Sequence, residues 1–584
     1  MCENLIQAAR EQVSALTRSA YEKAAAAGLL PAGAEIRGQV DIPKDVSHGD
    51  YATSFAMAGA KVLGKPPREI AQILMDHMTL EGTYFDKVEM AGPGFLNFTL
   101  GKRWFSEVLA AVEAGGLTYG KSDEGKGQKV MVEFVSANPT GPMHIGNARG
   151  GVLGDALSSV LERLGYEVWR EFYVNDAGNQ VHKFAVSLDA RYRQLILGEE
   201  AVEFPADGYQ GEDIRELAQD FRAQQGDSWL EKSEEERQEA LAQFGLKANL
   251  PRMQEDLRRY KVEYDKWFLE SALHESGYVK ETMDLLTKAG WTYEKDGALW
   301  LNTTELLKRK YLSEGKTPEQ VEKLELKDDV LCRSNGFYTY FAVDIAYHRN
   351  KLEERGFQTA INVWGADHHG HVHRLQAALD GLGLDGSHRL IIVLMQLVNL
   401  LQDGQPVRMS KRSGKAIALH DLLDEVSVDA ARFFFNESKP TSPVDFDLDL
   451  AVREDSENPV YYVQYAHARI CSMVSKVVEA SKISVPAAGE VDAGLLREPE
   501  ELALLKTIAR FPEELKLAGR ELDPSQVNRY LVALAGDFHR FYNSCRCMVD
   551  DPAIQAARLK LADTTRSVLA NGLNLIGVTA PEKM

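Results

Sequence analysis

The strongest constraint on the fold is a strand, loop, helix and strand pattern within residues 129–174. Lys129 to Val135 is an apolar run typical of a strand, and Glu167 to Val174 has the same character. A loop rich in proline and glycine follows the first run and leads into a helix predicted from about Ile145 to Leu164. Two strands joined by a helix over so short a distance indicate a βαβ unit in a parallel sheet.

The rest of the chain of 584 residues divides around this unit. Residues 1–115 mix helical and strand-like segments, and after about Ser427 nearly everything has helical spacing. Residues 190–325 are rich in Glu, Lys, Arg and Gln, which predicts a helical insertion without strong strands. Further strand candidates are Phe337–Phe341, Thr359–Trp364 and Arg389–Leu394.

Composition excludes several classes of protein. No apolar stretch approaches the roughly 18 residues of a membrane span, and the N-terminus does not resemble a signal peptide. The five cysteines are scattered, which predicts free thiols in a reducing cytoplasm and no dedicated metal site. The net charge of −20 does not decide whether nucleic acid binds, because residues 1–115 carry only −3 of it and residues 455–584 only −2.

The first segment with chemical meaning runs from Glu133 to Asn147, Glu-Phe-Val-Ser-Ala-Asn-Pro-Thr-Gly-Pro-Met-His-Ile-Gly-Asn. It ends a predicted strand and places His144 and Gly146 at the start of a helix. Free backbone N–H groups at a helix start favour an anion, and a glycine lets a phosphorylated ligand approach closely. The alternative is a tight turn with a helix-capping histidine.

The second segment, Val407 to Gly414, combines Arg408, Lys411 and Arg412 with two hydroxyls and a glycine. Such a loop is suited to neutralising a polyphosphate. A solvated basic turn is the alternative.

Together the two segments resemble the signatures of class I aminoacyl-tRNA synthetases, His-Ile-Gly-His and Lys-Met-Ser-Lys-Ser. Here they read His144-Ile-Gly-Asn147 and Arg408-Met-Ser-Lys-Arg412, so the last histidine and the first lysine are replaced. The surrounding sequence resembles the arginyl-tRNA synthetase family in particular. The segments that carry this resemblance are Glu133–Pro142, Tyr173–Gln180, Asp344–His348, Trp364–His371, Ser442–Leu450, Asn458–Arg469 and the C-terminal Gly577–Met584.

The resemblance implies a multidomain α/β protein. We expect a small α+β N-terminal domain at 1–115 that contacts the tRNA elbow, and a Rossmann-like parallel-sheet catalytic domain at 116–426 with the helical insertion. An all-α anticodon-binding domain is expected at 427–584.

The resemblance also implies that the protein uses ATP to join L-arginine to the 3′ end of its tRNA, releasing AMP and pyrophosphate. Magnesium is expected with the ATP phosphates, without a protein site of its own. No membrane partner is expected, and the protein is expected to be a cytoplasmic monomer.

Residue by residue, the family's motifs imply the following sites. Expected catalytic residues are His144, Asn147 and Lys411. Expected ATP-binding residues are Pro139, Gly141, His144, Gly146, Asn147, Asp367, His371, Met409, Ser410 and Lys411. Expected arginine-binding residues are Glu133, Ser136, Asn138, His144, Tyr340, Asp344 and His368. Expected tRNA-binding residues are Tyr461, Tyr462, Gln464, Tyr465, Tyr542 and Arg546.

Arginine recognition places a physical demand that two of these residues meet. A guanidinium always carries its charge, so its site needs carboxylates or aromatic faces. Tyr340 and Asp344 are four apart, which on a helix puts both on one face. The alternative is a tyrosine and a capping or surface aspartate without a ligand. The histidines of His369-Gly-His-Val-His373 also match a metal spacing, although recognition of a nucleotide is favoured.

Aromatic residues beside arginines in the C-terminal region are suited to stacking unpaired tRNA bases, and the alternative for each is a helical core position. Two other functions remain open at this stage. One is a class I enzyme for a different small acid, which a panel of amino acids in an adenylation assay would distinguish. The other is a tRNA-binding protein without catalysis, which would bind RNA but not charge it.

Overall fold

The computed structural model describes residues 4–407 and 417–584. The N-terminal part of the protein is a small α+β unit. Its elements are α1 (Leu5–Ala26), β1 (Val40–Asp41), β2 (Tyr51–Thr53), α2 (Phe55–Leu63), α3 (Pro67–Asp76), β3 (Phe85–Ala91), β4 (Phe95–Leu100) and α4 (Lys102–Gly115). The strands form an antiparallel sheet in the order β1-β2-β4-β3. Trp104 of α4 is fully buried, and its indole N–H donates to the carbonyl of Leu5 at 3.0 Å, so the unit closes on itself. The predicted α+β unit is confirmed.

The middle part contains a parallel sheet with helices between its strands. Its elements are β5 (Lys129–Glu133), α5 (Ile145–Arg163), β6 (Glu167–Val174), α6 (Gly178–Leu197), α7 (Glu212–Gln225), α8 (Glu234–Arg259), β7 (Lys266–Leu269), α9 (Ser271–Glu275), α10 (Tyr278–Lys288), β8 (Thr292–Lys295), β9 (Ala298–Leu301), α11 (Thr303–Ser313), α12 (Pro318–Glu322), β10 (Asp329–Cys332), α13 (Tyr340–Arg349), β11 (Thr359–Gly365), α14 (His369–Gly381), α15 (Gly386–Arg389), β12 (Leu390–Met395), β13 (Val398–Gln402), β14 (Gln405–Val407) and α16 (Leu419–Glu425).

The central sheet has the order β12-β11-β5-β6-β7, with every neighbouring pair parallel. The predicted βαβ unit is confirmed as β5, α5 and β6. Gly154 lets α5 lie directly on the sheet, because a Cβ at this position would overlap the ring of Phe134. The strand order reverses between β5 and β11, and a crevice outside the carboxyl ends of strands at such a switch point is where open α/β sheets bind ligands.

Two sequence predictions need correction in this part. The helical insertion is confirmed for α6, α7 and α8, which enclose a core of their own. The remainder of 190–325 also contains strands, because β7 joins the central sheet and β8 and β9 form an antiparallel sheet with β10. The strand predicted at Phe337–Phe341 is wrong. Thr339 accepts the backbone N–H of Ala342 as an N-cap, and a helix, α13, begins at Tyr340.

The C-terminal part is helical apart from one short strand. Its elements are α17 (Val428–Phe435), β15 (Val444–Asp447), α18 (Leu448–Ala451), α19 (Pro459–Ser481), α20 (Pro499–Glu521), α21 (Ser525–Ser544) and α22 (Pro552–Leu575). Strand β15 pairs with β13, which anchors this part to the middle part. Within the described ranges, no helix combines the length and the apolar character needed to cross a membrane.

Candidate active site

The carboxyl ends of β5 and β11 bring the first polar residues of the site together. Glu133 is the last residue of β5, and it lies opposite Asn362 of β11 in the parallel register. Both residues are almost fully buried, at 5% and 0% exposure. The switch point of the sheet therefore carries a buried carboxylate and a buried amide side by side.

The loop after β5 has an unusual backbone that redirects the chain into the crevice. Val135 and Ser136 both adopt left-handed conformations, with φ of 70° and 44°. Such backbone costs about 1–3 kcal/mol for each non-glycine residue and concentrates at functional sites. Ser136 compensates through its hydroxyl, which donates to Glu133 Oε1 at 2.9 Å and accepts the backbone N–H of Tyr173 at 3.1 Å. The predicted residues Glu133 and Ser136 thus contact each other directly.

His144 lies at the start of α5, as predicted, and Asn147 caps that start. The side-chain Oδ1 of Asn147 accepts the backbone N–H of His144 at 2.9 Å, which satisfies one of the unpaired donors of a helix N-terminus. The His144 ring is exposed. The asparagine that replaces the family's second histidine therefore caps the start of α5.

The chain after residue 416 contacts the start of α5. His144 forms an isolated β-bridge with Ala418, and the backbone N–H of Leu419 donates to the carbonyl of Met143 at 2.8 Å. Met409, Ser410 and Lys411, which are predicted to bind ATP, lie outside the described residues. The chain that follows them is fixed beside the first motif.

Helix α13 carries two predicted arginine-binding residues and presents a buried carboxylate. Asp344 is 4% exposed, and burial raises the pKa of its carboxyl group, while a hydrogen bond from His371 opposes that shift. His371 Nε2 lies 2.7 Å from Asp344 Oδ2, and its Nδ1 accepts from Arg374 at 3.3 Å. The Tyr340 ring, 55% exposed, lies 6.0 Å from the His371 ring, and the neighbouring Asp344 charge raises the pKa of its hydroxyl.

His371, which is predicted to bind ATP, thus contacts the carboxylate of Asp344, which is predicted to bind arginine. Its ring is oriented by Arg374, which is paired with Asp329. Asp367 and His368 follow β11 and are exposed, and the His368 ring lies 5.7 Å from Trp364.

A third buried carboxylate, Glu270, was missed by the sequence analysis. It follows β7, is 6% exposed, and accepts the Tyr173 hydroxyl at 2.9 Å. Burial, together with the charges of Asp344 and Asp176, raises the pKa of Glu270 to about 7. The sequence offered only a weak signal for Glu270, because this residue could be recognised as part of the site only once β7 was placed in the central sheet.

A buried chain of polar residues behind the pocket was also missed. Lys351 is fully buried in a π-helical turn, Asn350–Glu354, directly after α13. Its ammonium group donates to Glu133 Oε2 and, at 3.1 Å, to Asn362 Oδ1. Asn362 Nδ2 lies 2.8 Å from His348 Nε2, and His348 Nδ1 lies 2.7 Å from the carbonyl oxygen of Asp344.

The remaining predicted residues of the loop after β5 contact neighbouring elements. Asn138 Oδ1 accepts from Asn175 at 2.9 Å, which joins the loops that follow β5 and β6. The carbonyl of Pro139 accepts from Asn249 of α8 at 3.0 Å, so the helical insertion supports this loop. Nothing lies within 4 Å of a Cβ placed at Gly146, which leaves open space at the helix start.

The described residues contain no group of three or more histidine, cysteine or acidic side chains positioned to hold a metal ion. In the histidine-rich segment, His371 is directed to Asp344, while His369 and His373 contact each other with ring centroids 6.4 Å apart.

Most of the predicted tRNA-binding residues form one cluster on α19 and α21. Tyr461 and Tyr465 stack at 5.8 Å, and the Arg469 guanidinium lies 4.8 Å from the Tyr465 ring and 4.7 Å from the Tyr542 ring. Tyr462 joins the cluster through His539, at 4.7 Å. Arg469 was missed, although its spacing of four from Tyr465 places it on the same helical face.

Two predicted tRNA-binding residues lie elsewhere. Gln464 donates to Asp429 Oδ2 at 2.9 Å and to the carbonyl of Thr579 at 3.0 Å, so its amide joins α17 to the C-terminal segment. Arg546 is exposed beyond the end of α21, and its carbonyl accepts from Arg558.

Models of three protein families match successive parts of the chain. They are the arginyl tRNA synthetase N terminal domain at residues 6–100, the class I (R) tRNA synthetase catalytic domain at 108–465 and the DALR anticodon binding domain at 463–584.

Relatives of known name are similar over the full length. The arginine–tRNA ligase of Acetivibrio thermocellus is 47% identical over 581 residues, and that of Caldanaerobacter subterraneus subsp. tengcongensis is 49% identical over 582 residues. Each comparison covers 100% of both chains.

Solved structures show the same architecture. A putative arginyl-tRNA synthetase from Campylobacter jejuni is 33% identical with a TM-score of 0.71, covering 83% of this chain and 100% of its own. The arginyl-tRNA synthetase of Thermus thermophilus, 23% identical with a TM-score of 0.71, covers 98% of this chain and 100% of its own, and supports the fold alone.

Proposed function

Because the chain belongs to the arginyl-tRNA synthetase family, we propose that the carboxylates around its sheet switch point form the arginine site. The enzyme activates L-arginine with ATP to give arginyl-adenylate and pyrophosphate. It then transfers the arginyl group to the 3′ end of its tRNA and releases AMP.

The guanidinium end of the proposed site consists of Asp344 and Glu270, with Tyr340 as its aromatic wall. Asp344 Oδ2 is held by His371 on one side, and a carboxylate has acceptor capacity for a bound guanidinium as well. Glu270 lies close enough for its charge and that of Asp344 to act on each other. Two buried carboxylates that repel each other are stabilised when a cation binds between them. His368 completes this end of the proposed site.

The backbone end of arginine is assigned to Glu133, Ser136, Asn138 and His144. Glu133 and Ser136 are already hydrogen-bonded to each other, so this end is formed before the substrate arrives. Lysine is rejected in this proposal because its compact ammonium cannot satisfy acceptors arranged for a planar, forked group.

ATP is a substrate of the family reaction, and we assign its phosphates to the start of α5. The helix N-terminus and His144 face the phosphates, supported by Pro139, Gly141, Gly146 and Asn147. Asp367, Met409 and Ser410 complete the proposed ATP site. His371 belongs to the boundary of the two substrates, since it contacts Asp344.

In the first step, a carboxylate oxygen of arginine attacks the α-phosphorus of ATP in line, and pyrophosphate leaves with the electrons of the broken P–O bond. Positioning and electrostatic stabilisation dominate such a reaction. Lys411, with Arg408 or Arg412, is assigned to the charge that develops on pyrophosphate. In the second step, a terminal ribose hydroxyl attacks the arginyl carbonyl carbon and AMP leaves.

Magnesium is proposed to enter with ATP. The described side chains offer no cage of protein ligands for it. Magnesium commonly binds substrate phosphates and keeps much of its water, and the chemistry that it supplies is neutralisation of phosphate charge.

We divide the chain into a tRNA elbow-binding part at 1–115, a catalytic part at 116–426 and an anticodon-binding part at 427–584. The stacked tyrosines 461 and 465 support an anticodon surface, since unpaired bases stack on aromatic rings. The proposal assigns tRNA contacts to Tyr462, Gln464, Tyr542 and Arg546 as well. We further propose that the protein is a monomer and that it acts in the cytoplasm.

The buried carboxylate of Asp344 beneath Tyr340 is the observation that carries the arginine assignment. Changing Asp344 to Ala should raise the arginine KM by at least about tenfold, as expected when a charged hydrogen bond is lost. The measurement is charging of tRNA at varied arginine concentration, with every other amino acid tested in the wild-type protein. A variant that lowers kcat alone would contradict the assignment of Asp344 to the pocket.

A further inference from the structure

A lysine that does not face the crevice connects the two ends of the proposed arginine site. Lys351 is 0% exposed, and its ammonium contacts Glu133, Asn362 and, at 3.4 Å, His348 Nε2. It also lies 4.2 Å from the centroid of the Tyr347 ring. A buried ammonium is costly unless it is paired and hydrogen-bonded, and here it is both. The question is what this buried arrangement does beyond compensating for its own cost.

The hydrogen bonds around Lys351 have one consistent direction. His348 Nδ1 faces the carbonyl oxygen of Asp344, which only accepts, so Nδ1 carries the proton and donates. His348 Nε2 is then an acceptor for Asn362 Nδ2, which leaves Asn362 Oδ1 to accept from Lys351. Burial and the charge of Lys351 keep the pKa of His348 well below its usual value, which agrees with a neutral ring.

The chain of bonds therefore runs from the Glu133 carboxylate through Lys351, Asn362 and His348 to the backbone of Asp344. One end is assigned to the ammonium group of arginine and the other to its guanidinium. Asn362 and Lys351 are both fully buried and His348 is 1% exposed, so little freedom remains along this path.

The π-helical turn explains how Lys351 reaches this position. Helix α13 carries Asp344 and His348 in α-helical register, and Asn350–Glu354 then widens into a π-helical turn. Wider turns of this kind are uncommon and frequently occur at functional sites. The widened turn lies where the lysine must face β5 and β11 rather than continue along the outer side of α13.

We infer that Lys351 is a positioning residue that sets the distance between the ammonium and guanidinium subsites, and so selects the length of the substrate side chain. The inference rests on the proposed assignment of Glu133 and Asp344. Guanidino acids one methylene longer or shorter than arginine place one charged end away from its carboxylate. Discrimination by one methylene in a binding pocket is worth about 10- to 200-fold.

The test uses the full-length enzyme with tRNA and compares kcat/KM for arginine with that for both analogues. Wild-type enzyme should reject both analogues by at least about tenfold. Lys351→Met removes every link that starts at the ammonium group. Asn362→Leu keeps the Glu133–Lys351 pair and leaves only the long Lys351–His348 contact, at 3.4 Å, between Lys351 and His348. In either folded variant, the arginine KM should rise and the preference for arginine should fall by about tenfold, with kcat changed less.

Arg237→Met is the matched control, because it breaks another buried ion pair, that with Asp189 in the insertion. It should lower stability but leave the preference for arginine unchanged. The inference is overturned if wild-type enzyme uses the longer analogue as well as arginine, or if a folded Lys351 or Asn362 variant keeps the wild-type preference. A normal arginine KM in the Asp344→Ala enzyme would instead refute the pocket assignment itself.

Discussion

At the scale of single residues, the site is defined by carboxylates that the fold removes from water. Glu133, Glu270 and Asp344 are each at most 6% exposed. Glu133 ends β5, Glu270 follows β7 and Asp344 lies on α13. Burying an unpaired charge is costly, so each of them is held by a specific partner: Lys351, Tyr173 and His371.

Glu270 should make arginine binding depend on pH near neutrality. Its raised pKa of about 7 means that the carboxylate is mostly protonated at pH 6 and mostly ionised at pH 8. Arginine is cationic throughout this range, so its KM should fall by up to about tenfold as the pH rises from 6 to 8. The pH dependence of KM in the presence of tRNA measures this effect. The neighbouring groups that also bear on this carboxylate are Tyr173, Asp176, His274 and Asp344.

Glu270→Gln supplies the control, since an amide does not titrate in this range. The variant should bind arginine more weakly, and its KM should no longer change between pH 6 and 8. If the arginine KM of Glu270→Gln changed with pH as in the wild-type enzyme, Glu270 would be excluded as the source of the pH dependence of arginine binding.

The same pKa shift has a defined effect on stability. Because the folded protein retains this proton above pH 4.5 while the unfolded chain releases it, the Glu270 contribution to stability falls as the pH rises towards 7.

Lys411 is predicted from the sequence alone, because it lies outside the described residues. Changing it to Ala should reduce the rate of arginine activation by about 10²- to 10³-fold, as for the loss of one preorganised group that stabilises transition-state charge. Single-turnover activation with tRNA bound is the appropriate measurement. Lys411→Arg retains the charge and should lose less. An unchanged rate in the alanine variant would remove Lys411 from the proposed chemistry.

At the scale of secondary-structure elements, periodicity predicted some segments and failed for others for identifiable reasons. Strands β5 and β6 and helix α5 follow from their apolar pattern and from the proline and glycine between them. The start of α13 was predicted as a strand because aromatic residues favour strands. In addition, α13 is buried continuously from Phe341 to Arg349, so no exposed face reveals the helical periodicity. Strand β7 has four residues within a charged region, and only its pairing with β6 defines it.

The contacts among the buried polar residues behind the site also could not be predicted from local sequence patterns. Glu133 and Asn362 are 229 residues apart and become neighbours only through the register of β5 and β11. Lys351 reaches them through a π-helical turn, for which the sequence carries no recognised signal. Motif spacing predicted most of the residues that contact substrates in the proposal, but it missed Glu270 and the residues that hold the substrate-contacting side chains in place.

Helix α5 offers a test of whether its glycines serve packing or ligand approach. A Cβ at Gly146 meets nothing within 4 Å, whereas a Cβ at Gly154 would overlap the Phe134 ring. Gly146→Ala should therefore keep the free energy of unfolding or raise it by up to about 1 kcal/mol, since alanine favours helix. It should still raise the KM for ATP, because the methyl group occupies the space proposed for phosphate.

Gly154→Ala is the matched change on the same helix, and it should lower the free energy of unfolding by about 1–3 kcal/mol through overpacking. Urea unfolding and ATP-dependent kinetics of both variants separate the two roles. If Gly146→Ala left the KM for ATP unchanged, the start of α5 would not approach the nucleotide as closely as proposed.

At the scale of the whole molecule, the distribution of charge matters more than its sum. A net charge of −20 opposes the approach of an RNA, yet the family's substrate is a tRNA. Most of the negative charge belongs to the middle of the chain, while the C-terminal part presents stacked tyrosines beside Arg469. Net charge therefore does not decide whether RNA binds, whereas the local aromatic and basic residues are suited to stacking unpaired bases.

Arg432 of α17 connects the catalytic and C-terminal parts through one buried guanidinium. Its Nε donates to the carbonyl of Ile576 at 3.0 Å, and its NH1 donates to those of Tyr260 and Lys261 at 3.0 and 2.9 Å. NH2 pairs with Asp155 of α5. Gly577 must remain a glycine here, since its φ is 71° and a Cβ would overlap the guanidinium. A single side chain thus joins α5, the end of α8 and the end of α22.

Removing Arg432 should therefore destabilise the assembly of these parts as a whole. Arg432→Met leaves Asp155 without its closest partner and three carbonyls without a donor, a loss of about 3–5 kcal/mol by comparison with other broken buried ion pairs. Arg432→Lys should recover only part of this loss, because an ammonium cannot reproduce the guanidinium fork. Arg520→Met, at an exposed pair with Glu521, should change stability by less than about 0.5 kcal/mol. Urea unfolding followed by circular dichroism compares the three variants, and equal midpoints for Arg432→Met and Arg520→Met would show that the junction does not depend on this guanidinium.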